Sequence, residues 1–398
     1  MLSQGGVART SALPRFLTLY AALFAAFGVA SPFFAAFLAG RALLPEAIGA
    51  ELAAGTAVRL VAGPIGGRLA DRLGAPRRVL VLYATAAACV AFLYLPAEGV
   101  WLLLSVSIAH AAVLAPITPI ADALALEAAI GGETRRGFEY GWVRGAGSAA
   151  FILGTMLAGP AVGRFGLEAI IWLNGLFLGL AAVSAHRVPD LIAPSLPMAT
   201  PLARTRIDGV GSLLRLPVFR RLMLVAALIQ GSHAFHDGFV VIHWRSIGIA
   251  DGTIGLLWSE SVAAEVVVFL FLGRWLLDRL GPAGASVLAA AGGVLRWAVL
   301  AETTSTLASA LVEPLHGLTF ALQHLACMRL IGVVVPPRLA ATAQAFYGTV
   351  AVGVASAALT LGSGPLYADL GAGGFWVMAG LCAIAVPLAW GLRRDHGA

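Results

Sequence analysis

Apolar runs of about 18 to 25 residues, each long enough to cross about 30 Å of hydrocarbon, recur along the whole 398-residue chain and leave it few ways to fold. They fall at approximately 15–39, 47–70, 78–96, 100–128, 139–163 and 167–186, then at 218–243, 253–277, 283–301, 305–331, 339–364 and 373–392. A backbone in lipid must satisfy its polar groups internally, so each run reads as a helix. The expectation is an all-α membrane protein with twelve transmembrane helices in two pseudo-symmetric six-helix bundles. Pro116 and Pro119 interrupt the fourth run and predict a kink there, or a span lying partly outside the bilayer. With 60% hydrophobic and only 12% charged residues, the chain lies outside the composition of a soluble domain.

The chain contains no lysine, so its sidedness rests on arginine. Placing the N-terminus inside puts Arg9, Arg68, Arg72, Arg77, Arg78, Arg135, Arg136, Arg204, Arg206, Arg220, Arg221, Arg338 and Arg394 among the cytoplasmic arginines, against Arg41, Arg164 and Arg245 outside. Both termini are then cytoplasmic, in a bacterial-type inner (plasma) membrane. This asymmetry accounts for the net charge of +6, and no basic patch interleaved with aromatics points to nucleic acid. Met1 to Leu13 lacks the pattern of a removable signal peptide. Cys89, Cys327 and Cys382 are odd in number and sit inside spans, which fits small core residues better than disulfides or a metal cluster.

Between the second and third runs lies the charged turn Gly67-Arg68-Leu69-Ala70-Asp71-Arg72-Leu73-Gly74, and about 207 residues later it recurs as Gly273-Arg274-Trp275-Leu276-Leu277-Asp278-Arg279-Leu280-Gly281. Leu13-Pro14-x-Phe16 likewise recurs as Leu216-Pro217-x-Phe219, and Ile48-Gly49 as Ile254-Gly255. A duplicated bundle explains these parallels. The expected domains are a bundle over 1–187, a cytoplasmic linker over 188–215 carrying Pro189, Pro194, Pro197 and Pro201, and a bundle over 216–398. Asp71 can accept from helix N-terminal N–H groups or pair with an arginine, giving a latch whose strength differs between two conformations. Gly67, Asp71, Arg72 and Gly74, with Asp278 and Arg279, form that candidate latch; a plain topogenic turn is the alternative.

The turn resembles the G-x-L-A-D-R-x-G pattern of the major facilitator superfamily, with one departure where Ala75-Pro76 precede Arg77-Arg78. That resemblance implies two six-helix bundles around a central cavity and transport by alternating access. Phe138-Glu139-Tyr140-Gly141-x-x-Arg144, Arg296 and Leu315-His316 are similar to the lactose permease pattern of the oligosaccharide:proton symporters. Asp122-Ala123-Leu124-Ala125-Leu126 and Glu313-x-Leu315-His316-x-x-Thr319-Phe320-x-x-x-His324-x-x-x-Met328-Arg329 resemble the related phenylpropionate permease branch. The latter implies proton-coupled uptake of an aromatic or similar small carboxylate. Thr319 stands where the sugar symporters carry their proton-binding glutamate, so their coupling site cannot be carried over.

Ionisable residues deep in a span cost at least about 2.5–3.5 kcal/mol unless they face water or a partner, so each is a functional candidate. Asp122 and Arg144 fall at similar depth on consecutive helices. The guanidinium fork could bind an anionic or hydroxylated solute, or the pair could be a permanent salt bridge. Glu265 lies near the midplane of helix 8, with Arg59 at the equivalent place in helix 2. Glu265 is the first candidate for proton coupling, ahead of Glu313 and Asp237, unless it is permanently paired to Arg296 or another cation. Helix 7 offers His233, His236, Asp237 and His243, and helix 10 offers Glu313, His316, Gln323, His324 and Arg329. These line a cavity or make interhelical hydrogen bonds. Asp122, Arg144, Arg296 and His316 are the candidate substrate contacts, with Trp142, Trp258 or Trp297 available for a ring. Gly141, Gly145, Gly147, Gly154 and Gly159 read as packing positions.

The expected function is proton-coupled uptake of a small organic solute by a monomer, its partners being the solute, protons and the lipid bilayer. Neither cofactor nor metal is expected; a P-loop is impossible without lysine, and no zinc spacing occurs. A proton-driven efflux antiporter for drugs or metabolites would need the same parts. A non-transporting membrane sensor or assembly factor lacks a sizeable extramembrane domain, and an enzyme lacks a placeable nucleophile, acid and oxyanion donor.

Overall fold

In the computed structural model the described residues are 10–130, 135–189, 207–336 and 339–393. Nearly all are helical. In order the helices are α1 (Leu13–Gly40), α2 (Pro45–Leu73), α3 (Pro76–Phe92), α4 (Val100–Leu114), α5 (Ile117–Ile130), α6 (Tyr140–Phe165), α7 (Ala169–Arg187), α8 (Ile207–Arg215) and α9 (Pro217–Gly231). They continue as α10 (His233–Ser246), α11 (Asp251–Val267), α12 (Gly273–Glu302), α13 (Thr306–Val312), α14 (Gln323–Val334), α15 (Ala340–Phe346), α16 (Ala355–Leu370) and α17 (Gly374–Gly391). Three π-helical stretches, Val268–Leu272, Gly317–Leu322 and Tyr347–Val354, join neighbours among them. Among the described residues one short strand pair sets Thr10–Ser11 parallel to Arg135–Arg136. Arg9, Arg204, Arg206, Arg338 and Arg394, and most of the expected linker, lie outside the described residues; its last part is α8.

Eight helical stretches among the described residues are long and apolar enough to cross a membrane, and two of them, Asp251–Glu302 and Thr342–Gly391, run 52 and 50 residues. Each of those two is long enough for two crossings. The first is divided at Gly281 (φ 65°) and the second at the turn Gly371–Gly373. With α3 and the α9–α10 pair, this accommodates the twelve expected spans. The fourth span breaks at Ala115–Pro116, between α4 and α5, where the prolines predict it. Large apolar side chains such as Trp101, Phe271 and Leu311 stand 71–81% exposed, as lipid-facing surface requires.

Both charged turns end in the same device. Gly74 (φ 59°) closes α2 and Pro76 opens α3; Gly281 (φ 65°) is followed directly by Pro282. Glycine supplies the left-handed φ that stops a helix, and proline starts the next with its fixed φ and missing N–H.

Contacts divide the chain into two compact units, Met1–Ser31 with Val58–Pro194, and Pro32–Ala57 with Ser195–Ala398. In the first, α3 packs along α7 and against α4 and α5, around a core that includes Phe16, Leu23, Leu80, Ile117, Leu124 and Leu178. A Cβ on Gly154 would lie 2.7 Å from Ala25 O, so α1 and α6 cross at backbone contact there. Gly147 packs on Phe24, whereas Gly141 and Gly145 face open space and carry no such packing. In the second unit α12 packs along α17 and α14, and α9 against α17 and α14. Phe219, Leu222, Ile229, Cys327 and Leu330 lie in its largest core.

Candidate functional site

In the first unit, Asp122 on α5 gathers three donors. The Tyr20 hydroxyl donates to Asp122 Oδ1, the Tyr140 hydroxyl donates to the same oxygen at 2.7 Å, and Arg144 Nη1 lies 3.6 Å from it. Helical spacing makes this possible: Tyr140 and Arg144 are four apart on α6, as are Tyr20 and Phe24 on α1, so each pair shares a face. The Arg144 guanidinium sits 5.2 Å from the centre of the Phe24 ring. Its side chain is 45% exposed and that of Asp122 30%. One long contact engages a small part of a five-donor fork, so the rest can take an anion. Trp142, two residues before Arg144, projects from a different side of the helix, 68% exposed, and does not join the group.

In the second unit, a continuous polar chain crosses α10, α11, α12 and the Glu313–His316 stretch between α13 and α14. Arg296 and Glu313 are wholly buried, with Arg296 Nη2 donating to Glu313 Oε2 at 2.7 Å. His236 Nε2 lies 3.2 Å from both Glu313 Oε1 and Arg296 Nη2, and His236 Nδ1 lies 3.1 Å from Asp237 Oδ1. Arg296 Nη1 lies 3.2 Å from His316 Nδ1, and His316 Nε2 lies 3.5 Å from Glu265 Oε2. Guanidinium nitrogens only donate, so His316 Nδ1 accepts and Nε2–H points at Glu265. Asp237 and Glu265, at the two ends of the chain, are 58% and 24% exposed, while the members between them are buried or nearly so.

His236 has two self-consistent states. Neutral, with its proton on Nδ1 toward Asp237, its Nε2 accepts from Arg296; doubly protonated, its Nε2–H donates to Glu313. Each residue of the chain therefore keeps a hydrogen bond with or without the extra proton, while Arg296 Nε is buried without a partner. Aromatic rings wall it off: Trp258 stacks on His236 at 5.4 Å, the Arg296 guanidinium lies 4.5 Å over Trp297, and Trp297 Nε1 donates to Ser232 Oγ at 2.9 Å. Gly317 brings the helices together, because a Cβ there would lie 2.7 Å from Ala264 O, beside Glu265. Thr319 is buried and bonds the backbone oxygens of Leu315 and His316.

Glu265 is thus not paired to Arg296, whose carboxylate partner is Glu313. Arg296 has no accessible surface, and its place is inside the chain of contacts. His324 lies 3.3 Å from the Tyr347 hydroxyl, which also accepts from Gln230 at 2.9 Å. At the charged turns, Asp278 faces both Arg274 (3.7 Å) and Arg329 (3.6 Å), and the Arg279 guanidinium covers Trp275. Among the described residues Asp71 is exposed and makes no ion pair. Of the two groups that anchor Asp122, Tyr140 stands in the motif read from the sequence but without a role there, four residues before Arg144, and Tyr20 gave no signal. An open apolar groove of about 430 Å³ on α1, α6 and α7, lined by Ala21, Leu153, Leu157 and Leu180, includes none of these polar residues.

Residues 14–378 match the family model described as MFS_1 like family. The chain belongs to that family. It is 35% identical over 378 residues to the Escherichia coli (strain K12) protein named probable 3-phenylpropionic acid transporter, covering 94% of this chain and 95% of that one. Among solved structures, the nucleoside transporter NupG superposes with a TM-score of 0.81 at 14% identity, covering 97% of this chain and 99% of that one. A bacterial homolog of the human lysosomal transporter Spinster gives 0.72 at 14% identity, covering 96% of each chain. This MFS_1-like chain accordingly has the major facilitator fold and is a multi-pass secondary transporter of a small molecule, not an enzyme.

Proposed function

We propose that this MFS_1-like transporter imports a small aromatic carboxylate together with protons, as a monomer in a plasma-type membrane with both termini cytoplasmic. The observation that carries the substrate class is Arg144: a half-exposed guanidinium steadied by Asp122 and lying over the Phe24 ring offers an anion contact and an apolar aromatic wall side by side. The 3-phenylpropionic acid in the name of the E. coli relative has those two chemical parts. Arg296 and His316 hold the proton-bearing chain rather than the solute, with Trp258 closing it from one side.

Coupling is assigned to Glu265, with Glu313 and Asp237 as the other carboxylates of the chain. Neutralising Glu265 removes the negative charge that faces His316 Nε2–H, and a neutral carboxyl is far cheaper to move between conformations than a charged one. The turns at Gly67, Asp71, Arg72 and Gly74 and at Asp278 and Arg279 bias the equilibrium between those conformations. The bundles 1–187 and 216–398, joined by 188–215, are the bodies that move.

A thermal-shift series on the purified protein tests the substrate class, since a ligand at 100 times its dissociation constant stabilises by about 2.7 kcal/mol. 3-Phenylpropionate is expected to raise the melting temperature, and sugars and nucleosides to leave it unchanged. Stabilisation by a sugar or nucleoside without any by the acid overturns the assignment.

A further inference from the structure

Arg59 stands at the centre of the 29-residue α2, about 21 Å from either helix end, and its side chain is exposed. A guanidinium at that depth is strongly disfavoured against hydrocarbon, so it faces a wet interior. Arg144, Arg296 and Arg329 each face a carboxylate. Among the described residues Arg59 has none, and Tyr94 and His110 lie near it.

Helix register explains this neighbourhood. A Cβ on Gly63 would lie 3.8 Å from Ala115 O, and one on Gly66 would strike the Pro116 ring, so α2 and α4 run side by side in the same direction. One turn back from Gly63 is Arg59, and one turn back from Ala115 is the Ala111–His110 position. The His110 ring stands edge-on to Tyr94 at 5.7 Å, and the Tyr94 hydroxyl is 2.9 Å from Ser107 Oγ. His110 Nε2 is buried with no hydrogen-bond partner in the protein.

The cluster therefore holds a fixed cation, an unbonded imidazole nitrogen and no anion. We infer that Arg59 and His110 form a second carboxylate-binding station, occupied by the carboxylate of the transported acid at mid-depth. One carboxylate oxygen lies on the guanidinium fork, and the other accepts from His110 Nε2–H. Arg144, only one turn into α6, is then the station nearer the cytoplasm, and the acid passes between two arginines in the same unit. This inference rests on the proposed substrate class.

Isothermal titration of 3-phenylpropionate into the purified full chain tests it, using wild type, R59Q, R59K, H110Q and R144Q. R59Q is expected to weaken binding about ten- to a hundredfold, as expected for loss of hydrogen bonds to a charged group. R59K retains charge without the fork and should fall between R59Q and wild type; if R59Q does not fold, R59K alone decides. H110Q, which keeps a donor, should lose less than R59Q. Wild-type affinity in R59K and R59Q, with R144Q weakened, overturns the Arg59 station and leaves the substrate class standing. No binding of the acid by wild type removes both.

Discussion

Arg144 and Arg296 show how differently two arginines in a membrane can be used. Arg144 is half open and holds Asp122 at 3.6 Å, whereas Arg296 is sealed against Glu313 at 2.7 Å. Arg144→Lys should lose most solute binding despite keeping its charge, because an ammonium cannot give a planar two-point contact. Full transport by the Asp122→Asn/Arg144→Gln double variant would reduce the pair to a salt bridge. Glu313→Gln is expected to cost stability, because it leaves the Arg296 charge buried without its counter-charge; removing one partner of a buried pair typically costs about 3–5 kcal/mol. A drop in melting temperature in detergent is the readout, and an unchanged melting temperature would show that His236 and His316 suffice. The meeting of Asp122 with Arg144 was legible in the sequence, since counting residues from a short turn gives depth on consecutive helices. The partner of Arg296 was not legible. Glu265 and Glu313 both lie at plausible depth, and which one faces Arg296 depends on the rotation of each helix about its axis, which hydropathy does not report.

At the level of elements, punctuation by glycine and proline was easy to read. The Pro116 break, Gly74 before Pro76 and Gly281 before Pro282 all stand where local chemistry stops a helix. The π-helical stretches at Val268–Leu272 and Gly317–Leu322 were not visible, because they arise from accommodation between helices rather than from any residue preference. Both adjoin the polar chain: one begins three residues after Glu265 and the other directly follows His316. The charged turns carry their own prediction. Asp71→Asn should insert normally yet transport slowly if the turn acts as the proposed latch, which would bias a conformational equilibrium without touching solute. Turnover equal to wild type at equal expression would leave Asp71 as a topological marker only.

Across the whole molecule, the duplication inferred from repeated motifs has a counterpart in packing. Phe16 of the Leu-Pro-x-Phe opening meets Phe138 with ring centres 6.0 Å apart, and Phe219 of the second copy meets Phe346 at 6.3 Å, both tilted. Hydropathy made the order of spans readable from end to end. It could not show that residues 32–57 make their contacts with the second unit, since an apolar run does not name its neighbours. The two halves are also chemically unequal: Asp122, Arg144 and Arg59 lie in one unit, and the buried histidine–carboxylate chain in the other. That division supports a solute site in one half and proton handling in the other, and Glu265→Gln separates them. In vesicles, this variant is expected to exchange 3-phenylpropionate by counterflow at rates near wild type, since a permanently neutral side chain imitates the protonated state. It should not accumulate the acid above protein-free vesicles when the lumen is made alkaline, whereas wild type should; the protein-free control subtracts leakage of the uncharged acid. Accumulation by the variant equal to wild type, or outward solute flux driven by the same gradient in wild type, would contradict proton-coupled uptake through Glu265.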